Sequence, residues 1–279
     1  MAATMRRRTM VAGPRGFYPT DARGLTSALE RMLAALDAPA PGPNPLALVA
    51  PHAGYVYSGP TAARAYKHVE GRRYERVIVI GPSHYSMFAG ASVFDGELYE
   101  TPLGDVAVDR AFVDFLLARC GAVHVVAEAE RREHSVEVQV PFLQHLLGAF
   151  QIVPILICDP SFANCERLAR ELTEACAKLP RPTLLVASSD LYHGPGSDEA
   201  KRASLLTAHA IESRSAREFA AGVEQGEYHA CGSGAITAAK LMAERRGAQR
   251  VEVVQVTTSH EVAHGSDDYV VGYLGAVMH

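Results

Sequence analysis

The chain has 279 residues, 48% of them hydrophobic and 21% charged, with a formal net charge of −4. That is ordinary globular composition with enough apolar residues for a sizeable core. It excludes a nucleic-acid partner, because Arg6-Arg7-Arg8 is the sole basic cluster and lies in a stretch, residues 1–12, that reads as frayed. No apolar segment follows that triple arginine and no run of about 18 apolar residues exists, so a soluble, cytoplasmic protein without a secretory signal or a membrane span is expected.

Gly16–Pro19 leads to Thr20-Asp21, a helix start, after which Leu25, Leu29, Met32, Leu33 and Leu36 recur at helical spacing. A proline-rich connector, Ala38–Pro45, ends this helix. Leu46–Gly59 (LALVAPHAGYVYSG) and Val77–Met87 (VIVIGPSHYSM) then repeat one design: a short apolar run, long enough for a buried strand, stops at a proline and delivers a histidine, His52 or His84. Between them Pro60 is placed to open a helix through His68.

Gly90–Phe94 and Leu98–Thr101 read as a hairpin around Asp95-Gly96. Asp109 introduces a helix through Arg119 with Phe112, Phe115, Leu116 and Leu117 facing the core. Val123–Ala127 reads as a strand and Glu128–Glu133 as a solvated loop, and His134-Ser135-Val136-Glu137 opens an apolar helix reaching about Gly148. Further strands are expected at Ile152–Ile157, Thr183–Ala187, Val251–Thr258 and Tyr269–Met278. Helices are expected at Asn164–Leu179, Ser197–Ser213, Ala216–Gln225 and from Cys231-Gly232-Ser233-Gly234 to about Gly247. Strands alternating with helices along residues 1–279 predict a single three-layer α/β/α domain with a mixed, mostly parallel central sheet.

Side chains just past the carboxyl ends of parallel strands line the ligand crevice of such a sheet, so His52 and His84 are expected to converge on one metal ion. Imidazole suits iron, copper and zinc alike. Of five cysteines, Cys120, Cys158, Cys165, Cys176 and Cys231, no two form a CxxC pair, which argues against a disulfide scaffold and structural zinc. Cys231, at a glycine-rich helix start where the dipole favours a thiolate, is the candidate third ligand. Three protein ligands leave positions open for substrate, water or dioxygen. Asp190 is the candidate orienter of a ligand histidine, His134 and His193 are the candidate proton carriers, and Glu137, one turn from His134, could fix its tautomer. Tyr55, Tyr57, Tyr85 and Tyr192 stand beside these residues as stacking walls or as packing.

Taken together, Pro51-His52-Ala53-Gly54-Tyr55, Gly81-Pro82-Ser83-His84, Glu133-His134-Ser135-Val136-Glu137, Ser188-Ser189-Asp190 with His193, and Cys231-Gly232 resemble the motif set of the Memo family, from about Gly16 to His279. The resemblance implies a fold similar to the class III extradiol dioxygenases, non-haem iron(II) enzymes that cleave catechol rings. It also implies an iron or copper site at His52, His84 and Cys231, with Asp190 and His193 in the same pocket. Bacterial and archaeal members are named as part of an AMMECR1, Memo and radical SAM system, which implies AMMECR1-like and radical SAM partners. The animal member is described as a cell-motility effector that binds phosphotyrosine peptide and as a redox protein. Ring-cleaving relatives use a carboxylate where this chain has Cys231, and the softer thiolate suits copper(I) as well as iron(II).

Three functions therefore compete. The first is a redox metalloenzyme or dioxygenase acting on a small, aromatic-type molecule with Fe(II), Cu(I)/Cu(II) or zinc. The second is a hydrolase, metal-assisted or with Cys231 attacking, His193 as base and Asp190 orienting it. The third is a non-enzymatic module that binds metal or a phosphopeptide.

Overall fold

The architecture is that of a computed structural model, which describes residues 5–37, 42–119 and 121–279. Strand β1 (Arg7–Arg8) and a 3-10 turn (Gly13–Arg15) precede helix α1 (Ala22–Ala34). Asp21 caps that helix by accepting from the Gly24 N–H, and Leu25, Leu29 and Leu33 form its buried stripe. Strand β2 (Ala47–Ala50), helix α2 (Tyr55–Lys67) and strand β3 (Arg76–Pro82) make the first strand-helix-strand crossover. Then come β4 (Ala91–Val93), β5 (Leu98–Thr101), β6 (Gly104–Ala107), α3 (Arg110–Arg119), β7 (Val123–His124) and α4 (Ala127–Glu130). A 3-10 turn (Glu137–Gln139) runs into α5 (Val140–Leu147), followed by β8 (Gln151–Ile157), α6 (Phe162–Lys178) and β9 (Thr183–Ser188). The chain closes with β10 (His193–Gly194), α7 (Ser197–Ser213), α8 (Ala216–Glu224), α9 (Ser233–Arg245), β11 (Val251–Thr258), α10 (Ser259–Ala263) and β12 (Val270–Met278).

The main sheet runs β10-β12-β2-β9-β3-β8-β4-β7, with β11 also on β12. Its centre, β2-β9-β3-β8, is parallel, while β12 and β4 join it antiparallel. Every residue of β2, β3 and β9 is buried, as expected of parallel strands covered on both faces. Helices α1, α2 and α5 pack together on one side, α2 lying against β2 and β12. Helix α9 lies across β2, β9 and β3 on the other, with α6, α8 and α3 behind it. This is the three-layer α/β/α arrangement that the alternating pattern predicts.

Four local expectations need correction. Residues 5–12 are not frayed: β1 adds to β5 in a small second sheet, β1-β5-β6, and Arg8 is only 4% exposed. The expected hairpin around Asp95-Gly96 is not formed, because β4 belongs to the main sheet and β5 pairs with β6 instead. Asp95 is engaged by the Arg6 guanidinium (2.8 Å), so the turn residues carry the chain between two sheets. Helix α2 opens at Tyr55, five residues before its expected start, with Pro60 inside it. The stretch Glu128–Glu133 is not a solvated loop, since Glu130 and Glu133 are buried. The expected connector Ala38–Pro45 lies partly outside the described residues.

Candidate metal centre

Strands β2, β9 and β3 are neighbours in parallel register, with Ala50 opposite Ser188 and Ile80 opposite Ala187, so they end at one rim of the sheet. His52 follows β2, His84 follows β3, and Ser188-Ser189-Asp190 leaves β9 between them. Helix α9 brings Cys231 to the same rim. Gly232 makes that approach possible: a Cβ there would fall 2.2 Å from the Ser188 carbonyl oxygen. The Cys231 N–H donates to the Asp190 carbonyl (3.1 Å) and the Asp190 N–H donates to Sγ (3.3 Å), which fixes the sulfur against the β9 exit.

One donor atom each from His52, His84 and Cys231 lies within 4.8 Å of the other two. The hydrogen bonds settle which imidazole nitrogens carry the proton. The Ser188 hydroxyl donates to the Ser135 carbonyl (2.6 Å), so the 2.8 Å contact with His52 Nδ1 requires the ring N–H to donate to Ser188 Oγ. His84 Nδ1–H donates to Glu133 Oε1 at 2.9 Å. Both rings therefore carry their lone pair on Nε2, the tautomer a ligand histidine needs. Cys231 Sγ stands 3.3 Å from His52 Nε2, close to the roughly 3.5 Å separating two donors of one tetrahedral ion at ordinary metal–sulfur and metal–nitrogen distances.

The protonation states differ from the sequence expectation at one candidate ligand. Burial, and next the Asp190 carboxylate, push the Cys231 thiol up, so without a cation the sulfur keeps its proton despite the helix start. Burial, with His84 beside it, lowers His52 to about 3, so that imidazole is neutral and ready to coordinate. Burial pushes the Asp190 carboxyl up to about 6. Burial acts to raise Glu133 too, but the hydrogen bond and charge of His84 prevail and hold it at about 2.

The other predicted residues divide into those at the cluster and those beside it. The His134 ring stacks on His84 with centroids 4.8 Å apart, and Phe17 lies 4.4 Å from it. Its buried Nδ1 has no hydrogen-bond partner, and burial followed by the neighbouring His52 lowers it to about 3. Asp190 holds His52 through the backbone, Oδ1 accepting its N–H at 2.8 Å; the ring is oriented by Ser188 instead. His193 is exposed and donates Nδ1–H to the Leu191 carbonyl (3.0 Å), near enough for its charge to act on both Asp190 and His52, and among the described residues no hydrogen bond joins it to Cys231 or Asp190. Glu137 does not fix the His134 tautomer. Its carboxylate accepts from the Val11 and Ala12 N–H groups (both 2.8 Å), from Arg8 and from the Tyr18 hydroxyl. Of the tyrosines, Tyr55 is core, its hydroxyl donating to Val138 O at 2.8 Å, Tyr57 faces solvent, and Tyr192 packs on His229. Tyr85 alone lies by the cluster, 6.2 Å from both His84 and His134.

Ser188 and Glu133 are the residues that the sequence did not single out as orienters. Glu133 also accepts the backbone N–H groups of His84 (2.6 Å), His134 (2.8 Å) and Ser135 (2.9 Å). With His84 and His134 it makes a second group of potential ligands.

Fold and cluster together define an α/β protein with a candidate two-histidine, one-cysteine donor set at the carboxyl rim of its sheet. The family described as Memo-like protein matches residues 7–277. The chain is 35% identical over 274 residues to a MEMO1 family protein of Archaeoglobus fulgidus, covering 98% of this chain and 99% of the relative. A MEMO1 family protein of Methanopyrus kandleri is 32% identical over 283 residues (98% and 99%), and one of Methanocaldococcus jannaschii 33% over 243 residues (84% and 84%). This chain belongs to the Memo family. Among the described residues no helix is long and apolar enough to cross a membrane.

Proposed function

We propose that the chain is a metal-dependent redox protein in which His52 Nε2, His84 Nε2 and Cys231 Sγ hold one iron or copper ion and a small molecule binds beside it. The observation that carries this reading is the arrangement of the donors: each histidine has its Nδ1–H tied to a neighbour, which leaves both lone pairs on Nε2, and His52 Nε2 stands 3.3 Å from the sulfur while a His84 ring nitrogen lies within 4.8 Å of both. When bound, iron(II) would supply dioxygen and one-electron chemistry and copper one-electron transfer.

The chain's own residues would do the rest. Ser188 and Glu133 fix the ring planes of His52 and His84, so little reorganisation accompanies loading. The proton shared by Cys231 Sγ and His52 Nε2 is the one a cation displaces. His134, neutral and stacked on the His84 ring at the edge of the cluster, is placed to take a proton from a substrate hydroxyl. Asp190, its carboxyl near 6, can hold a proton behind the sulfur.

Anaerobic reconstitution with iron(II) or copper(I), metal analysis and then oxygen-uptake measurement over a panel of catechols tests the proposal. One ion per chain is expected in the native sequence and much less in Cys231→Ser and His52→Ala. Full stoichiometry in Cys231→Ser would overturn cysteine ligation, and the absence of oxygen uptake over the panel would overturn catechol oxidation.

A further inference from the structure

We infer that the mouth of this centre recognises an anion: Arg15 and Arg132, gathered around Tyr85, seat a carboxylate or phosphate group of the substrate whose other end reaches the His52–His84–Cys231 cluster. The inference rests on the metal reading above and adds the charge of the substrate to it.

Arg15 is held in place entirely by neutral groups. Its Nη2 donates to the Tyr85 hydroxyl (2.6 Å) and its Nη1 to the Arg132 carbonyl oxygen (2.9 Å), while the guanidinium lies over the rings of Tyr85 (5.2 Å) and Phe17 (5.3 Å). Arg132 lies over the same Tyr85 ring at 5.0 Å. Two like charges therefore share one aromatic side chain, and among the described residues neither has a carboxylate within ion-pair distance. Other arginines of this region do: Arg6 pairs with Asp95, Arg7 with Asp105 and Arg131 with Glu128. The nearest acid in sequence, Glu133, is buried behind His84 with its oxygens taken up by four N–H donors.

Repulsion between two guanidiniums is tolerable where a ligand completes the charge balance, and the planar fork of arginine matches a carboxylate or phosphate at two points. Location makes the pair a substrate feature and not a remote patch. Tyr85 follows the ligand His84 directly in the chain, and Phe17, under Arg15, touches the His134 ring. An anion bridging Arg15 and Arg132 would thus sit one aromatic ring away from the donor set.

The test compares benzoate, phenyl phosphate and neutral phenol as probes, titrated by calorimetry into metal-loaded and metal-free protein. The native sequence should bind at least one of the two anions about tenfold tighter than phenol, with the preference fading as salt rises. Benzoate preference assigns a carboxylate, phenyl phosphate preference a phosphate, and equal preference a site for either. Arg132→Gln, which leaves every Arg15 hydrogen bond in place, should lose most of that preference while phenol affinity, metal content and melting temperature stay put; Arg15→Gln/Arg132→Gln should abolish it. No preference in the native protein, or a preference unchanged in Arg132→Gln and in the double variant, would overturn the inference. Metal content measured on the same samples separates the two readings, because an anion preference in protein that binds no metal would sink the metal centre and leave the arginine site standing.

Discussion

The Glu133 carboxylate grips His84 at two points, Oε2 accepting the backbone N–H at 2.6 Å and Oε1 the ring Nδ1–H at 2.9 Å. One acidic side chain thereby fixes both the position and the tautomer of a candidate ligand. Glu133→Gln keeps the shape but gives one of these contacts an amide that cannot accept. Metal affinity should fall by roughly 10- to 100-fold with the fold intact, as competition titration against a chromophoric chelator would show. Unchanged affinity would mean that His84 is not a ligand.

Metal binding should release one proton per chain between about pH 7 and 9. His52 is already neutral there, while burial and Asp190 keep the Cys231 thiol protonated. The logarithm of the association constant should therefore rise by about one per pH unit over that range. Calorimetry in two buffers of different ionisation enthalpy counts the proton directly.

Acid should destabilise the metal-free protein in a limb that begins low. Between the ordinary histidine value of 6.5 and about 4.5, the unfolded chain takes up protons on His52 and His134 that the folded chain, at about 3, refuses. Over the same range the folded chain protonates Asp190, near 6, and Glu130, near 7, before the unfolded chain does, which offsets the loss. Below about 4.5 the unfolded chain catches up on those two carboxyls, and Glu133, held at about 2, adds to the histidine deficit. Stability should then fall by up to roughly 1.4 kcal/mol per pH unit for each group still out of step. Urea unfolding at pH 7, 5, 4 and 3.5 checks the shape, and His134→Gln should make the acid limb shallower.

Arg8 is the countercharge of a buried acidic cluster. Its guanidinium reaches Glu130 (3.3 Å), Glu137 and the Glu133 carbonyl, and lies over the Tyr99 ring at 4.8 Å. Arg8→Met leaves two buried carboxyls without a cation and should cost roughly 3–5 kcal/mol at pH 7 in chemical denaturation. Burial already raises Glu130 to about 7, so the loss should be smaller at pH 6 than at pH 8, where the carboxyl must stay charged.

What the sequence made legible was the parallel core and the three candidate donors. Buried strands announce themselves as apolar runs, and the proline that ends each of two runs marks where a histidine can turn into the crevice. The orienting residues were not legible because they look like something else. Glu133 ends a run of charges that resembles a solvated loop, and Ser188 is an ordinary strand-end serine. Neither shows its partner, since His84 and His52 are 49 and 136 residues away. Glu137 misled for the opposite reason: helical spacing puts it near His134, but a buried arginine from the first strand claims its carboxylate. Likewise Asp95-Gly96 has hairpin chemistry, and only the competition between two sheets for β4 and β5 decides against it.

The seat of Arg8 has a consequence for assembly. Arg7 and Arg8 have no partners until Leu98–Tyr99 and Glu137 have been synthesised, 91 and 129 positions later. Closing so long a loop is entropically slow, so β1 should dock after its neighbours have taken shape. The same segment, by bonding the Glu133 carbonyl, tightens the bend that carries the His84 anchor, which makes maturation of the rim a late event in the birth of the molecule.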